Sequence, residues 1–195
     1  MLTAALAAGL SLAACQKKAD QATDAVATSE PVNAAQDATA AGVGAVSAST
    51  VAATNSTEGF VTGLVTGGMY EIQAGNIAQT KGQSAAVKAF GKMMVTDHTA
   101  LSNTAKPAIT ASGKPVPTEL DERRKGMIDN LNAAPAADFD QAYLSQQEAA
   151  HQETLTLLKG YADGGDDAGL KTVAMGAIPK VQGHLDKIRE LQAKK

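Results

Sequence analysis

The chain has 195 residues, a formal net charge of −3 and one cysteine. Its three Phe and three Tyr residues all lie from Phe60 onward, whereas residues 1–56 are rich in Ala, Ser, Thr, Val and Gln. The nearly balanced charge gives no electrostatic reason to expect nucleic acid as a partner, and a single cysteine excludes an internal disulfide. The composition predicts one folded domain, over residues 57–195, behind a long extension.

Residues 1–14 have the features of a secretory signal peptide. Residues 2–14 form an apolar run that suits the hydrophobic region of a signal and is too short to cross a membrane. Its end, Leu12-Ala13-Ala14-Cys15, resembles the lipobox of bacterial lipoproteins. The resemblance implies cleavage before Cys15 and acylation of that residue, which would anchor the chain to a membrane. No Lys or Arg precedes the run, which suggests a start codon further upstream. An ordinary signal peptide with an unrelated cysteine is the alternative.

Residues 15–56 are predicted to be the lipidated cysteine and a disordered tether. Beyond Ala19 they contain no apolar residue larger than Val and show no periodic hydrophobic face, so they cannot offset their chain entropy by burial. By resemblance to lipoproteins, Gln16 after the cysteine favours sorting to the outer membrane. We therefore expect a bacterial envelope protein on the outer membrane, facing the periplasm.

Two long helices are predicted in the first half of the domain, from apolar residues at helical spacing. The first begins near Ser56 or Thr57, either of which can cap it, and ends at Gly82. The second begins near Gln83 and reaches Pro107, which should kink or end it. Glycines weaken the first helix intrinsically, and we expect them to allow close approach of a neighbouring helix. They are Gly63, Gly67, Gly68 and Gly75.

The second half of the domain contains one short and two long predicted helices. A capping box from Thr118 to Asp121 opens the short helix. A long helix runs from near Asp138 to Gly164-Gly165, and the last begins near Asp166-Asp167, with a bend at Pro179. No stretch alternates with a period of two over enough residues for a strand. The prediction is an all-α, antiparallel, up-down-up-down four-helix bundle with a short extra helix in its middle connection.

The three histidines lie in three different long helices and in phase with the apolar faces. Measured from the end of the bundle that holds the short turns, Glu71, His98, His151 and His184 fall within about two helical turns of each other at ~1.5 Å per residue. Convergence on one place is therefore plausible. Glu148 is added because it stands three residues before His151 on the same helix.

Several segments resemble a bacterial family of outer-membrane proteins without established activity, domain of unknown function 4142, in the ferritin-like group of four-helix bundles. The resemblance covers about residues 57–192. It is carried by the Gly-Met-Tyr-Glu stretch ending at Glu71, the segment from Phe90 to His98, the helix through His151, and Pro179 to Leu185. It implies a ferritin-like four-helix bundle and says little about function.

The ferritin-like group implies a metal site built from inward Glu residues and Glu-x-x-His pairs. Only Glu148 and His151 form such a pair, because Val95 and Val181 stand where two carboxylates would precede the other histidines. A mononuclear site for Zn, Cu or Fe is the more compatible prediction. Its candidate ligands are Glu71, His98, Glu148, His151 and His184. Asp97, about 100° round the helix from His98, should point elsewhere.

A structural role for the histidines is the alternative, because buried polar groups need hydrogen-bond partners rather than metals. Tyr70, Glu71, Tyr143 and Gln147 are candidate partners. No nucleophile elbow, phosphate-binding loop or cysteine occurs in the domain, so a catalytic role lacks support. The first functional prediction is a non-catalytic, lipid-anchored envelope module that binds an envelope protein or stabilises the envelope.

The sequence leaves two other functional hypotheses open. One is a periplasmic metal-binding or weakly redox-active protein that uses the inward histidines and carboxylates. The other is a histidine cluster that titrates in acid and loosens the bundle.

Overall fold

The computed structural model describes residues 56–194, and this part of the chain forms five α-helices and no strand. The prediction of an all-α domain is therefore confirmed. The helices are α1 (Thr57–Lys81), α2 (Ala85–Ala111), α3 (Glu122–Ala133), α4 (Ala136–Gly164) and α5 (Ala168–Ala193). The predicted signal peptide, Cys15 and the tether up to residue 55 lie outside the described residues. Within residues 56–194, no helix has the length and apolar character needed to cross a membrane.

Short polar side chains set most of the helix starts. The Ser56 hydroxyl accepts a hydrogen bond from the Gly59 N–H, as predicted, and Ser84 and Asp167 cap α2 and α5 in the same way. The predicted start of α3 at the Thr118 capping box is wrong, because Asp121 is the cap and Glu122 is the first helical residue.

The Asp121 carboxylate explains the later start of α3. One of its oxygens accepts from the Arg124 backbone N–H at 2.8 Å, and the other binds the Arg124 guanidinium. The carboxylate thus satisfies an N–H of the first turn and also forms an ion pair with Arg124. Helix α4 begins at Ala136, directly after Pro135 and near Asp138, as predicted.

Both internal prolines are accommodated inside continuous helices. Pro107 lies within α2, which continues to Ala111, and Pro179 lies within α5. Of the two effects predicted for Pro107, a kink or an end of the helix, the end does not occur. Each proline removes one hydrogen bond to the carbonyl four residues earlier. Those carbonyls belong to Asn103 and Met175, which are both exposed, so water can replace the lost donors.

The four long helices pack so that each contacts two others. Helix α1 packs against α2 and α4, and α5 packs against the same two helices, while the short α3 packs on α1 and α4. The buried apolar side chains form two clusters. One contains Tyr70, Phe90, Met94, Phe139, Tyr143 and Ile188, and the other contains Phe60, Leu158, Tyr161, Leu170 and Leu185. On α2 and α4 the histidine lies in sequence between the residues of these two clusters.

Helices α1 and α2 approach each other most closely at a pair of glycines. A Cβ added to Gly75 would lie 2.7 Å from the Gly91 carbonyl oxygen, and a Cβ added to Gly91 would lie 2.7 Å from that of Gly75. The predicted use of glycine for close approach is thus confirmed at Gly75. At Gly67 and Gly68 an added Cβ would meet nothing closer than 4.0 Å and 3.4 Å, so helix contact does not require glycine there.

Candidate metal centre

Three helices each contribute one buried histidine to a single cluster, the histidine cluster of His98, His151 and His184. The ring centroids lie 5.9 Å apart for His98 and His151, 5.6 Å for His98 and His184, and 5.5 Å for His151 and His184. One ring nitrogen from each residue lies within 4.8 Å of the other two. The chain has only these three histidines, and the fold brings all three together in one cluster.

The tautomer of His151 is set by its own helix. Its Nδ1 lies 2.8 Å from the Gln147 carbonyl oxygen, one turn earlier in α4. A carbonyl only accepts, so Nδ1 carries the proton and Nε2 is left with a lone pair. That Nε2 is fully buried and has no hydrogen-bond partner among the described residues. Its lone pair is therefore available to coordinate a metal ion.

His184 is oriented by a carboxylate on a different helix. Its Nε2 donates to Asp97 Oδ2 at 2.9 Å, and Lys180 Nζ donates to Asp97 Oδ1 at 3.0 Å. Partial burial raises the pKa of Asp97, but the hydrogen bonds from His184 and Lys180 outweigh it and hold the pKa below its usual value. Nδ1 of His184 is left buried and, within residues 56–194, without a partner.

Burial keeps the three imidazoles in the form that a metal needs. It lowers the pKa of His98 and of His151 to about 3, and it also lowers the pKa of His184. The rings are therefore neutral near pH 7, as imidazole ligands must be. His98 Nε2 is the third buried ring nitrogen for which the described residues supply no partner.

Three unpaired buried nitrogens form an arrangement that a metal ion would satisfy. Each buried polar atom left without a partner costs about 1–3 kcal/mol. An ion at about 2.1 Å from each nitrogen requires nitrogen separations of roughly 3.4 Å in tetrahedral geometry. Since one ring nitrogen of each histidine already lies within 4.8 Å of the other two, modest movements of the rings would bring three nitrogens to that spacing.

Glu71 lies beside the histidine cluster rather than in it. The residue is 2% exposed, and its Oε1 lies 3.6 Å from His151 Nδ1, the nitrogen that already donates to Gln147. The carboxylate thus faces the ring edge opposite the free Nε2. Burial raises the pKa of Glu71 to about 8. The side chain is therefore mostly protonated at pH 7, and its Oε2 has no partner in the described part of the chain.

Glu148 lies at the protein surface and binds other side chains. Its Oε1 accepts from Arg189 Nε at 3.1 Å and from Gln152 Nε2 at 3.3 Å. Three residues along a helix correspond to an offset of about 60°, which turns Glu148 toward the edge of α5 while His151 points inward. Of the five ligands predicted from sequence, the structure brings together His98, His151 and His184, and it places Glu71 and Glu148 outside the set of mutually close ligand atoms.

Asp97 is the one residue of the site that sequence reasoning misjudged. We expected it to point away from the histidines because of its 100° offset from His98. It does diverge from His98, but the divergence carries its carboxylate across to α5, where it meets His184. In a four-helix bundle, α2 must contact a second helix besides α1. An acidic residue next to an inward histidine on α2 can therefore reach a histidine on that second helix, and this could have been inferred from the sequence.

The fold and the site together define an all-helical bundle protein with a buried centre of three histidines. The family described as "Domain of unknown function (DUF4142)" matches residues 44–191, which is most of the chain. The protein belongs to this family. No curated protein matches the chain, and no solved structure matches it either.

Proposed function

We propose that this protein binds one transition-metal ion through His98, His151 and His184. The observation that carries the proposal is the set of three buried ring nitrogens, one from each histidine, that lack partners among the described residues and belong to converging rings. A purely structural polar layer would use its nitrogens in hydrogen bonds within the layer. Within residues 56–194, the hydrogen bonds of the three rings all point outward, from His151 to Gln147 and from His184 to Asp97.

The ligand set suits Zn, Cu or Fe, which imidazole binds well. Three protein ligands leave a further coordination position for water or another small ligand, as in metal sites that exchange ligands. The contacts of His151 and His184 with Gln147 and Asp97 correspond to the outer hydrogen bonds that orient metal-bound imidazoles. The chain's own residues would thus supply three neutral imidazoles, and hydrogen bonds fix the tautomers of His151 and His184.

We also propose that the four long helices form a ferritin-like four-helix bundle. The support is the packing order, in which α1, α2, α5 and α4 contact one another in a closed ring, together with the placement of α3 in the middle connection. The carboxylate-rich di-iron set of that group is not part of the proposal. Glu148 pairs with Arg189, and Glu71 lies on the Nδ1 side of the His151 ring rather than beside its unpaired Nε2.

The location that we propose for this metal-binding bundle is the periplasmic side of a bacterial outer membrane, held by acyl chains on Cys15. The support is the sequence Leu12-Ala13-Ala14-Cys15 followed by Gln16, because several acyl chains on one residue anchor stably. Cys15→Ser is expected to release the protein from membranes into the soluble fraction. A Cys15→Ser protein that still sediments with membranes would refute lipidation at this residue.

Metal titration of the untagged, chelator-treated full chain tests the proposed function. We expect one Zn²⁺ or Cu²⁺ per chain, and an affinity at least about a hundredfold lower in His151→Gln. Tyr143→Phe is the matched control, since it removes a buried hydroxyl that has no partner within residues 56–194 and is not a predicted ligand. Its affinity should stay within about twofold of the parent protein.

The outcomes of this titration separate the two functional classes. Absence of saturable metal binding, or binding that His151→Gln leaves unchanged, would leave the non-catalytic envelope module as the function and the histidines as a structural layer. Loss of binding in His151→Gln, with the helical circular dichroism signal retained, supports the metal site.

A further inference from the structure

We propose that an open groove between α1 and α2 binds an amphiphile that has one unbranched apolar chain and an anionic head. The groove has a volume of about 410 Å³, within the usual range of about 300–1,000 Å³ for ligand pockets. The proposal concerns a second ligand site and does not depend on the metal, although His98 contributes to the walls of both.

The groove is long and mainly apolar. Along α2 its wall runs from His98 to Thr110, a distance of roughly 18 Å at 1.5 Å per residue. Most of the surface is supplied by aliphatic side chains, including Leu64, Val65, Ile72, Leu101 and Ile109. Such a surface favours an extended hydrocarbon chain, because burying apolar area is the main source of binding free energy there.

A glycine on α1, Gly68, holds the groove open opposite α2. Gly67 and Gly68 lie in the middle of α1, where each glycine costs about 1 kcal/mol of helix stability relative to alanine. The close approach of Gly75 and Gly91 explains glycine further along the helix, but no such approach exists here. A Cβ on Gly68 would meet only the Ser102 hydroxyl, at 3.4 Å across the groove. A larger side chain at this position would fill the space.

Lys106 gives the groove its preference for an anionic head. It is the only charged side chain among the described residues that line the groove. Its ammonium forms no ion pair with any residue in the range 56–194. It also lies about two turns from His98 along α2. A carboxylate head at Lys106 therefore directs the chain of the ligand along the groove toward His98.

Dodecanoate, added below its micelle concentration to the full chain carrying Cys15→Ser, is the probe. Isothermal titration calorimetry should show one saturable site per chain. Gly68→Leu is expected to lower the affinity at least tenfold by filling the groove. Gly176→Leu is the matched control, because it lies in α5 with open space around it and should leave the affinity unchanged.

The charge preference has its own pair of variants. Lys106→Gln should weaken dodecanoate binding by about two- to fivefold, the effect of an exposed ion pair, whereas Lys92→Gln, an exposed lysine of α2 outside the groove, should have no effect. Dodecyltrimethylammonium, with the same chain and a cationic head, should bind more weakly than dodecanoate.

Four results would overturn the proposal. The first is no saturable binding, and the second is equal loss of affinity in Gly68→Leu and Gly176→Leu. The third is binding that appears only after removal of residues 1–55, which would make that segment the occupant. The fourth is sedimentation showing that Gly68→Leu disrupts a dimer, which would make a second copy the occupant. The metal affinity of Gly68→Leu should equal that of the parent protein. Failure of the groove proposal can therefore be distinguished from failure of the metal-site proposal.

Discussion

His184 on α5 donates a 2.9 Å hydrogen bond from Nε2 to the carboxylate of Asp97 on α2. This contact joins two helices that are far apart in sequence, and it decides which nitrogen of His184 faces the histidine cluster. A carboxylate that accepts from one imidazole nitrogen raises the basicity of the other nitrogen as a ligand and fixes the ring. The bond between Asp97 and His184 therefore supports the proposal that the cluster binds a metal.

Asp97→Asn should lower the metal affinity by about 10–100-fold, the usual effect of losing an outer carboxylate partner. Competition with a chromogenic chelator measures this change. Asp186→Asn, an exposed aspartate of α5 that binds Gln182, is the control and should leave the affinity unchanged. Equal affinities of Asp97→Asn and the parent protein would show that Asp97 does not act through His184.

The metal-free protein should lose stability in acid. The pKa of His98 and of His151 is about 3 in the folded protein and about 6.5 when unfolded. The unfolded state binds protons that the folded state excludes. The contribution of these two histidines to stability is thus fully present above pH 6.5 and falls toward pH 3, by up to ~1.4 kcal/mol per pH unit for each histidine.

Urea unfolding in the presence of a chelator checks this pH dependence. His98→Gln should reduce the slope of unfolding free energy against pH, because one excluded proton is removed. A slope that is the same in His98→Gln and in the parent protein would contradict burial of a neutral imidazole at His98.

Glu71 should have the opposite effect on stability at higher pH. Burial raises the pKa of its carboxyl to about 8, from 4.5. Its contribution to stability is present below pH 4.5 and is lost as the pH rises through 8, because the folded state holds a proton that the unfolded state releases. Glu71→Gln, which is always neutral, should therefore gain stability over the parent protein as the pH rises from 5 to 8.

Denaturant unfolding of the chelator-treated variants across that pH range measures the gain from Glu71→Gln. Glu148→Gln, at a partly exposed residue bound to Arg189, should show no comparable gain. A difference in unfolding free energy between Glu71→Gln and the parent protein that is the same at all pH values would contradict a raised pKa of Glu71 in the folded protein.

Gly75→Ala should destabilise the protein by about 1–3 kcal/mol, the typical effect of overpacking. The added Cβ would lie 2.7 Å from the Gly91 carbonyl oxygen and 2.9 Å from Val95 Cγ2, and the backbone of α2 would have to move. Gly176→Ala, in open space on α5, should instead stabilise by roughly 0.5–1 kcal/mol through helix propensity. The two midpoints of thermal unfolding should therefore move in opposite directions, and a shift in the same direction would exclude close packing as the reason for Gly75.

Periodicity in the sequence was sufficient to predict the helices and the shared depth of the histidines. Residues such as His98 and His151 continue apolar faces in register, and a buried face must meet another buried face. Whether the helix continues past Pro107 could not be decided from the sequence, because the cost of the proline depends on whether Asn103 is exposed to water. Only the packed structure shows that exposure.

The composition of the site was harder to predict than its location. The spacing of Glu148 and His151 suggested a ligand pair, yet an offset of about 60° on the helix directs Glu148 to Arg189. The same kind of offset brings Asp97 to His184, which sequence reasoning had discounted. Both differences depend on which helix neighbours which, and helical spacing alone does not contain that information.

X-ray absorption spectroscopy of the zinc-loaded full chain tests the central claim most directly. We predict three imidazole nitrogens at about 2.0–2.1 Å from the metal, with two remaining in each of His98→Gln, His151→Gln and His184→Gln if metal is retained. A spectrum with one or no imidazole ligand, or one that is identical in the three variants and the parent protein, would contradict a metal centre formed by His98, His151 and His184.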